Sequence, residues 1–78
     1  KYNMISLTQG KIGKVYVIHS VENLPFKIKR RIYELGLLPN QKIKVVRVSL
    51  LKKAYLIEVG GYCLTLRKDI ATAIKVTA

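Results

Sequence analysis

The stretch Ala54-Tyr55-Leu56-Ile57-Glu58-Val59-Gly60-Gly61-Tyr62-Cys63-Leu64-Thr65-Leu66 decides the fold. Tyr55, Ile57 and Val59 alternate with Leu56 and Glu58, and Tyr62, Leu64 and Leu66 alternate with Cys63 and Thr65. Alternation with period two is what a strand with one buried face requires. Only Gly60-Gly61 separates the two runs, and a two-residue loop between strands needs positive φ at both positions, which glycine adopts freely. The stretch therefore reads as a β-hairpin, with Tyr55 and Tyr62 in the core-facing phase of their aliphatic neighbours.

Working upstream, Leu38-Pro39-Asn40-Gln41 is a turn with proline second and the left-hand-tolerant asparagine third. The strand Lys42–Val48 follows with a fault in its alternation. Ile43 and Val45 share one face, but the next apolar pair is Val46 and Val48. That shift predicts a β-bulge near Val45-Val46, bending the strand. Before the turn the period changes. Leu24, Ile28, Ile32 and Leu35 recur at helical spacing, in a stripe about 80° wide at 100° per residue. Asn23 fits an N-cap, Pro25 a first turn and Gly36 a left-handed stop, which predicts a helix over about 25–35. Thr8-Gln9-Gly10 reads as a turn and Ile12–His19 as a strand. Downstream, Lys68–Ala73 reads as a short helical turn leading to the strand Ile74-Lys75-Val76. The sum is a mainly β fold: one small, strongly bent barrel of about five strands with one inserted α-helix and a short helical turn, closed so that no strand edge is left unpaired.

The 78 residues make a single domain, 1–78, and half of them are apolar, enough for a thin core and too few for a deep cleft between domains. No apolar run approaches the length of a membrane-spanning helix, so a soluble chain is expected. Met4 reads as a natural start, with Lys1-Tyr2-Asn3 as a remnant before it. A single cysteine, Cys63, excludes an internal disulfide and fits a reducing compartment. Fifteen Lys and Arg against four Asp and Glu give +11, spread along the chain without a basic tail. Such a charge calls for an acidic partner: nucleic acid, an anionic membrane leaflet or an acidic protein face.

Several of these segments together resemble one family. Glu34-Leu35-Gly36-Leu37-Leu38-Pro39-Asn40 is similar to the Leu-Gly-x-x-Pro-Gly step after the helix in the ferrous iron transport protein A (FeoA) family. Lys44-Val45-Val46-Arg47-Val48 stands where that family has its second strand. Leu64-Thr65-Leu66-Arg67-Lys68-Asp69-Ile70-Ala71 with Ile74-Lys75-Val76 resembles its terminal block, and Leu7-Thr8-Gln9-Gly10 with Gly13 and Val15 its opening. Two departures are Asn40 for the family's glycine and the loop Leu51-Lys52-Lys53-Ala54, which lacks a Gly-x-Pro-like turn. The resemblance implies an SH3-like barrel with a helical insertion, in a cytoplasmic accessory protein of a ferrous-iron transporter that carries a GTPase domain (FeoB). The same module is fused to some metal-dependent repressors; without DNA-binding helices upstream, this chain resembles the free-standing form.

The residues offer little chemistry. No phosphate-loop motif is present, and one His with one Cys on separate strands does not make a nucleophile, base and orienting group. No enzyme and no cofactor are expected. Ferrous iron favours imidazole and carboxylate converging on one point; His19 and Glu22 are the one close pair, and a weak one. His19 otherwise reads as an ordinary barrel histidine and Cys63 as a small buried hydrophobe. Nucleic acid is the rival that composition raises, because small basic barrels stack bases on exposed aromatics. Tyr16, Tyr55 and Tyr62 lie on strands, but the alternation puts Tyr55 and Tyr62 inside.

The candidate site is the helix. Lys27, Lys29, Arg30 and Arg31 put four bases within five residues, and Glu34 can pair with Arg30 at i, i+4. Phe26 and Tyr33 fall almost opposite the buried stripe, with Lys29 beside them. Phe26, Lys27, Lys29, Arg30, Arg31 and Tyr33 are thus the expected partner-binding residues, for docking the transporter or for self-association. The competing expectation is a solvated basic face with the aromatics covered by the Lys1–Leu7 arm or the Leu51–Ala54 loop.

Overall fold

A computed structural model describes residues 3–78; the expectations placed on Lys1 and Tyr2 lie outside them. Six strands form one antiparallel sheet in the order β1-β6-β2-β3-β4-β5. They are β1 (Ile5–Ser6), β2 (Val15–Val21), β3 (Lys42–Val48), β4 (Ala54–Val59), β5 (Tyr62–Arg67) and β6 (Ile74–Thr77). Two helices, α1 (Phe26–Glu34) and α2 (Lys68–Ala73), and a 3-10 turn over Leu7–Gln9 complete the chain. The hairpin forms as its alternation requires: β4 pairs β5 from Ala54 with Arg67 to Val59 with Tyr62, and Gly60 and Gly61 take φ of +57° and +85°.

The sheet bends where the sequence changes phase. Val45 pairs Ile57 and Arg47 pairs Leu56, so Val46 is the extra residue of a bulge. A second bulge was not legible: Ile18 pairs Val76 and Ser20 pairs Lys75, leaving His19 unpaired between β2 and β6. His19 is exposed, in the outward phase set by buried Tyr16 and Ile18, and the bulge after Ile18 turns Val21 inward. The expected strand Ile12–His19 is displaced to Val15–Val21, because Gly13 takes φ +86° and donates its N–H to the Val45 carbonyl, ending the run before Val15.

The sheet has six strands where the sequence predicts about five, the sixth being the two-residue β1. One expectation about edges needs correction: the sheet ends on β1 and β5 rather than closing strand to strand. The reason is α2, which packs against β1, β4, β5, β6 and the 3-10 turn and fills the space where the outer strands would meet. Its Ala71 and Ala73 are buried, and the Ser6 hydroxyl ties β1 to it by donating to the Thr72 carbonyl at 2.8 Å.

The core lies inside the curl of the sheet, where Leu7, Ile18, Leu37, Ile43, Ile57 and Ile74 are all almost fully buried. Tyr16 and Tyr55 are inside it. Tyr62 is not. It begins β5, the edge strand, opposite buried Val59, is 43% exposed, and donates its hydroxyl to the Leu35 carbonyl. Cys63 is likewise exposed on the outward phase of β5, not buried.

Candidate functional site

Helix α1 runs one residue shorter at each end than the periodicity predicts. Pro25 occupies the N-cap position, where its carbonyl accepts from the Ile28 and Lys29 N–H groups. Asn23 does not cap; it takes φ +62° and turns the chain toward the helix instead. The C-terminus closes in a Schellman arrangement. Gly36, at φ +93°, donates to the Tyr33 carbonyl and Leu37 donates to Ile32, while the side chains of Leu37 and Ile32 are both buried.

The apolar stripe is only half covered. Ile32 is the buried residue of α1, and Leu24 just before it is half-buried. Ile28 and Leu35 remain 40% exposed. They look onto a groove of about 480 Å³ between α1 and the β5–α2 corner, whose other wall is Thr65, Leu66, Arg67 and Ile70. Lys27 and Arg31 stand on the helix side of this groove.

On the other flank, Phe26, Lys29, Arg30 and Tyr33 line a shallow hollow of about 310 Å³. Phe26 is 76% exposed, with nothing among the described residues covering it; the Leu51–Ala54 loop is itself largely exposed. Tyr33 is half-buried and packs against the core, so it is less external than its wheel position implies. The Lys29 ammonium lies 5.9 Å from the Tyr33 ring centroid, a cation–π distance. Arg30 pairs with Glu34 at 3.3 Å. The six expected residues lie on two flanks: Lys27 and Arg31 line the groove, and Phe26, Lys29, Arg30 and Tyr33 the hollow. Arg67, Leu66 and Ile70 complete the groove, and no spacing in the sequence announces that β5 and α2 will meet α1.

His19 and Glu22 do not converge. The Ser20 hydroxyl stands between them, 3.1 Å from His19 Nδ1 and donating to Glu22 Oε2 at 2.8 Å. Among the described residues no three His, Cys, Asp or Glu side chains are grouped so as to hold a metal ion. No helix among them is long and apolar enough to cross a membrane.

A family model for the FeoA domain matches residues 5–78. The chain belongs to the FeoA family. Solved structures agree. The FeoA protein of Chlorobium tepidum is 32% identical, with a TM-score of 0.85 over 94% of this chain and 69% of that one. The zinc-complexed FeoA of Stenotrophomonas maltophilia, described as a prokaryotic SH3 domain protein and a candidate ferrous iron transport activating factor, is 25% identical with a TM-score of 0.79. It is covered over 88% of its length, and covers 92% of this chain. The repressor IdeR of T. acidophilum is also 25% identical, at a TM-score of 0.83, but this chain spans only 34% of it. No curated protein matches. The SH3-like architecture and the association with ferrous iron transport thus follow from the family, an accessory-domain family not known for catalysis.

Proposed function

We propose that this chain is a cytoplasmic adaptor of a ferrous-iron uptake system, docking through α1 on the GTPase-bearing cytosolic part of the membrane transporter and having no turnover of its own. The observation that carries the reading is Phe26, a large aromatic left bare beside Lys29 and Arg30 on an inserted helix. An aromatic anchor ringed by long cationic side chains is the composition of an interface centre. Four cations on α1 are opposed there by Glu34 alone, which selects an acidic partner face. The candidate role of the Stenotrophomonas relative as a transport activating factor supports the same assignment.

Co-purification with the transporter at moderate salt tests it. Binding weakens steeply between about 50 and 300 mM salt, because exposed charges are screened within a Debye length. Phe26→Ser abolishes co-purification while the fold is kept; unchanged binding removes α1 from the interface. Deletion of the gene that leaves ferrous-iron uptake unchanged would falsify the role. The likeness to IdeR favours a second reading, a regulatory module acting beside a metal sensor. That reading predicts co-purification with a repressor rather than a transporter. The nucleic-acid reading loses support because Tyr16 and Tyr55 are buried, and Tyr62, the exposed one of the three strand tyrosines, has its hydroxyl bound to the Leu35 carbonyl.

A further inference from the structure

The tip of the β3–β4 hairpin presents two leucines to solvent. Leu50 is 97% exposed and Leu51 71%. They occupy the two central positions of a turn that the backbone holds firmly: Lys52 donates to the Ser49 carbonyl at 2.8 Å, and Ser49 to the Ala54 carbonyl at 2.9 Å. The Ser49 hydroxyl oxygen accepts from both the Lys53 and Ala54 N–H groups, at 3.0 and 3.1 Å. Lys52, at φ +56°, completes the reversal. A turn fixed this well, with serine at its base, has no folding need for leucine at its point.

Cations surround the point. Lys52 and Lys53 follow the leucines and are exposed. The Lys68 N–H donates to the Lys53 carbonyl, which brings the start of α2 alongside, and Arg67 pairs across from Ala54. The acid near this end is Asp69, and it is engaged by Arg67 at 3.3 Å.

We infer that this tip anchors the protein to an anionic lipid bilayer, with Leu50 and Leu51 entering the interfacial region and Lys52, Lys53 and Lys68 meeting lipid phosphates. A bilayer takes both features at once: peripheral anchoring needs an apolar insertion plus a basic patch. An acidic protein face would answer the lysines but would need a pit for a protruding pair of leucines. A second copy is disfavoured, since it would bring two Lys52–Lys53 pairs together on chains that each carry +11. The assignment is independent of the docking of α1, whose residues it does not use.

The test is sedimentation with vesicles of phosphatidylcholine containing about one-third phosphatidylglycerol, beside vesicles of phosphatidylcholine alone. The protein sediments with the first and not the second. Leu50→Asn with Leu51→Asn lowers the partition coefficient at least tenfold, at about tenfold per leucine fully inserted. Lys52→Asn with Lys53→Gln lowers it roughly thirtyfold, at about 1 kcal/mol per lysine. Both variants keep the wild-type melting temperature. The chain has no tryptophan, so Leu50→Trp is a unique reporter, and its emission moves to the blue when the anionic vesicles are added. Sedimentation indifferent to the leucine changes would reduce the effect to diffuse charge and overturn the proposal. Unshifted emission from the Leu50→Trp variant overturns it as well. So does a blue shift that grows with protein concentration in the absence of lipid, in that case in favour of a second copy.

Discussion

Gly36→Ala probes whether the end of α1 is locked by backbone conformation and by Tyr62 together. Gly36 sits at φ +93°, and a Cβ added there would lie 2.5 Å from the Tyr62 hydroxyl oxygen. The left-handed backbone alone costs a residue with a side chain about 1–2 kcal/mol. Displacing the hydroxyl also breaks its bond to the Leu35 carbonyl, a further loss of about 0.5–1.5 kcal/mol. The expected total is about 2–3 kcal/mol, which in a domain of this size lowers Tm by roughly 10–20 °C. Tyr62→Phe removes the obstructing oxygen and its bond, so Gly36→Ala in that background keeps only the backbone penalty. The double-mutant cycle, read by urea unfolding followed by circular dichroism, then shows coupling of about 0.5–1.5 kcal/mol. Strict additivity, or a Gly36→Ala loss below about 0.5 kcal/mol, refutes the reasoning.

Ile32→Ala removes the buried side chain of α1 and its contact across the Schellman turn, and costs about 2–4 kcal/mol by urea unfolding; a loss below about 1 kcal/mol would mean the helix is not held through it. Phe26→Ser leaves stability within about 0.5 kcal/mol because the ring is exposed. Tyr33→Ser loses more, about 1–2 kcal/mol, because its ring packs on the core, so calorimetry of the two single variants separates anchor from core. Ser49→Ala leaves the Lys53 and Ala54 amides without their acceptor; it destabilises by about 1 kcal/mol and speeds hydrogen exchange at both.

What the sequence made legible follows from short-range chemistry. The Gly60-Gly61 hairpin, the Val46 bulge, the Asn40 turn and the Gly36 stop each depend on a few neighbouring residues, and each formed where read. Alternation failed at Tyr62 because periodicity states a face, not that β5 lies at the sheet's edge, where the residue opposite buried Val59 is left partly uncovered. The bulge at His19, which brings Val21 inward after Ile18, was not legible because it belongs to the pairing, and β6 is far along the chain from β2. The helix wheel identified the exposed aromatic Phe26 with Lys29 beside it. Only the position of α1 beside β5 and α2 separates Lys27 and Arg31 from Lys29 and Arg30. That position is a long-range fact, set by Ile32 and Leu37 reaching the core.

A nine-residue helix fastened by one buried side chain and the half-buried Tyr33 ring has a thermodynamic life of its own. It is shorter than helices that persist unaided in water, so its amides exchange through an opening that leaves the sheet intact. The Schellman turn marks one limit of this opening and Pro25, with no N–H to lose, the other. A partner covering Phe26 works against that fluctuation, and part of its binding energy goes into suppressing it. Protection on binding then rises across residues 26–34 and hardly at all in β3 and β4, so the insertion behaves as a clasp whose stiffness is set by what it holds.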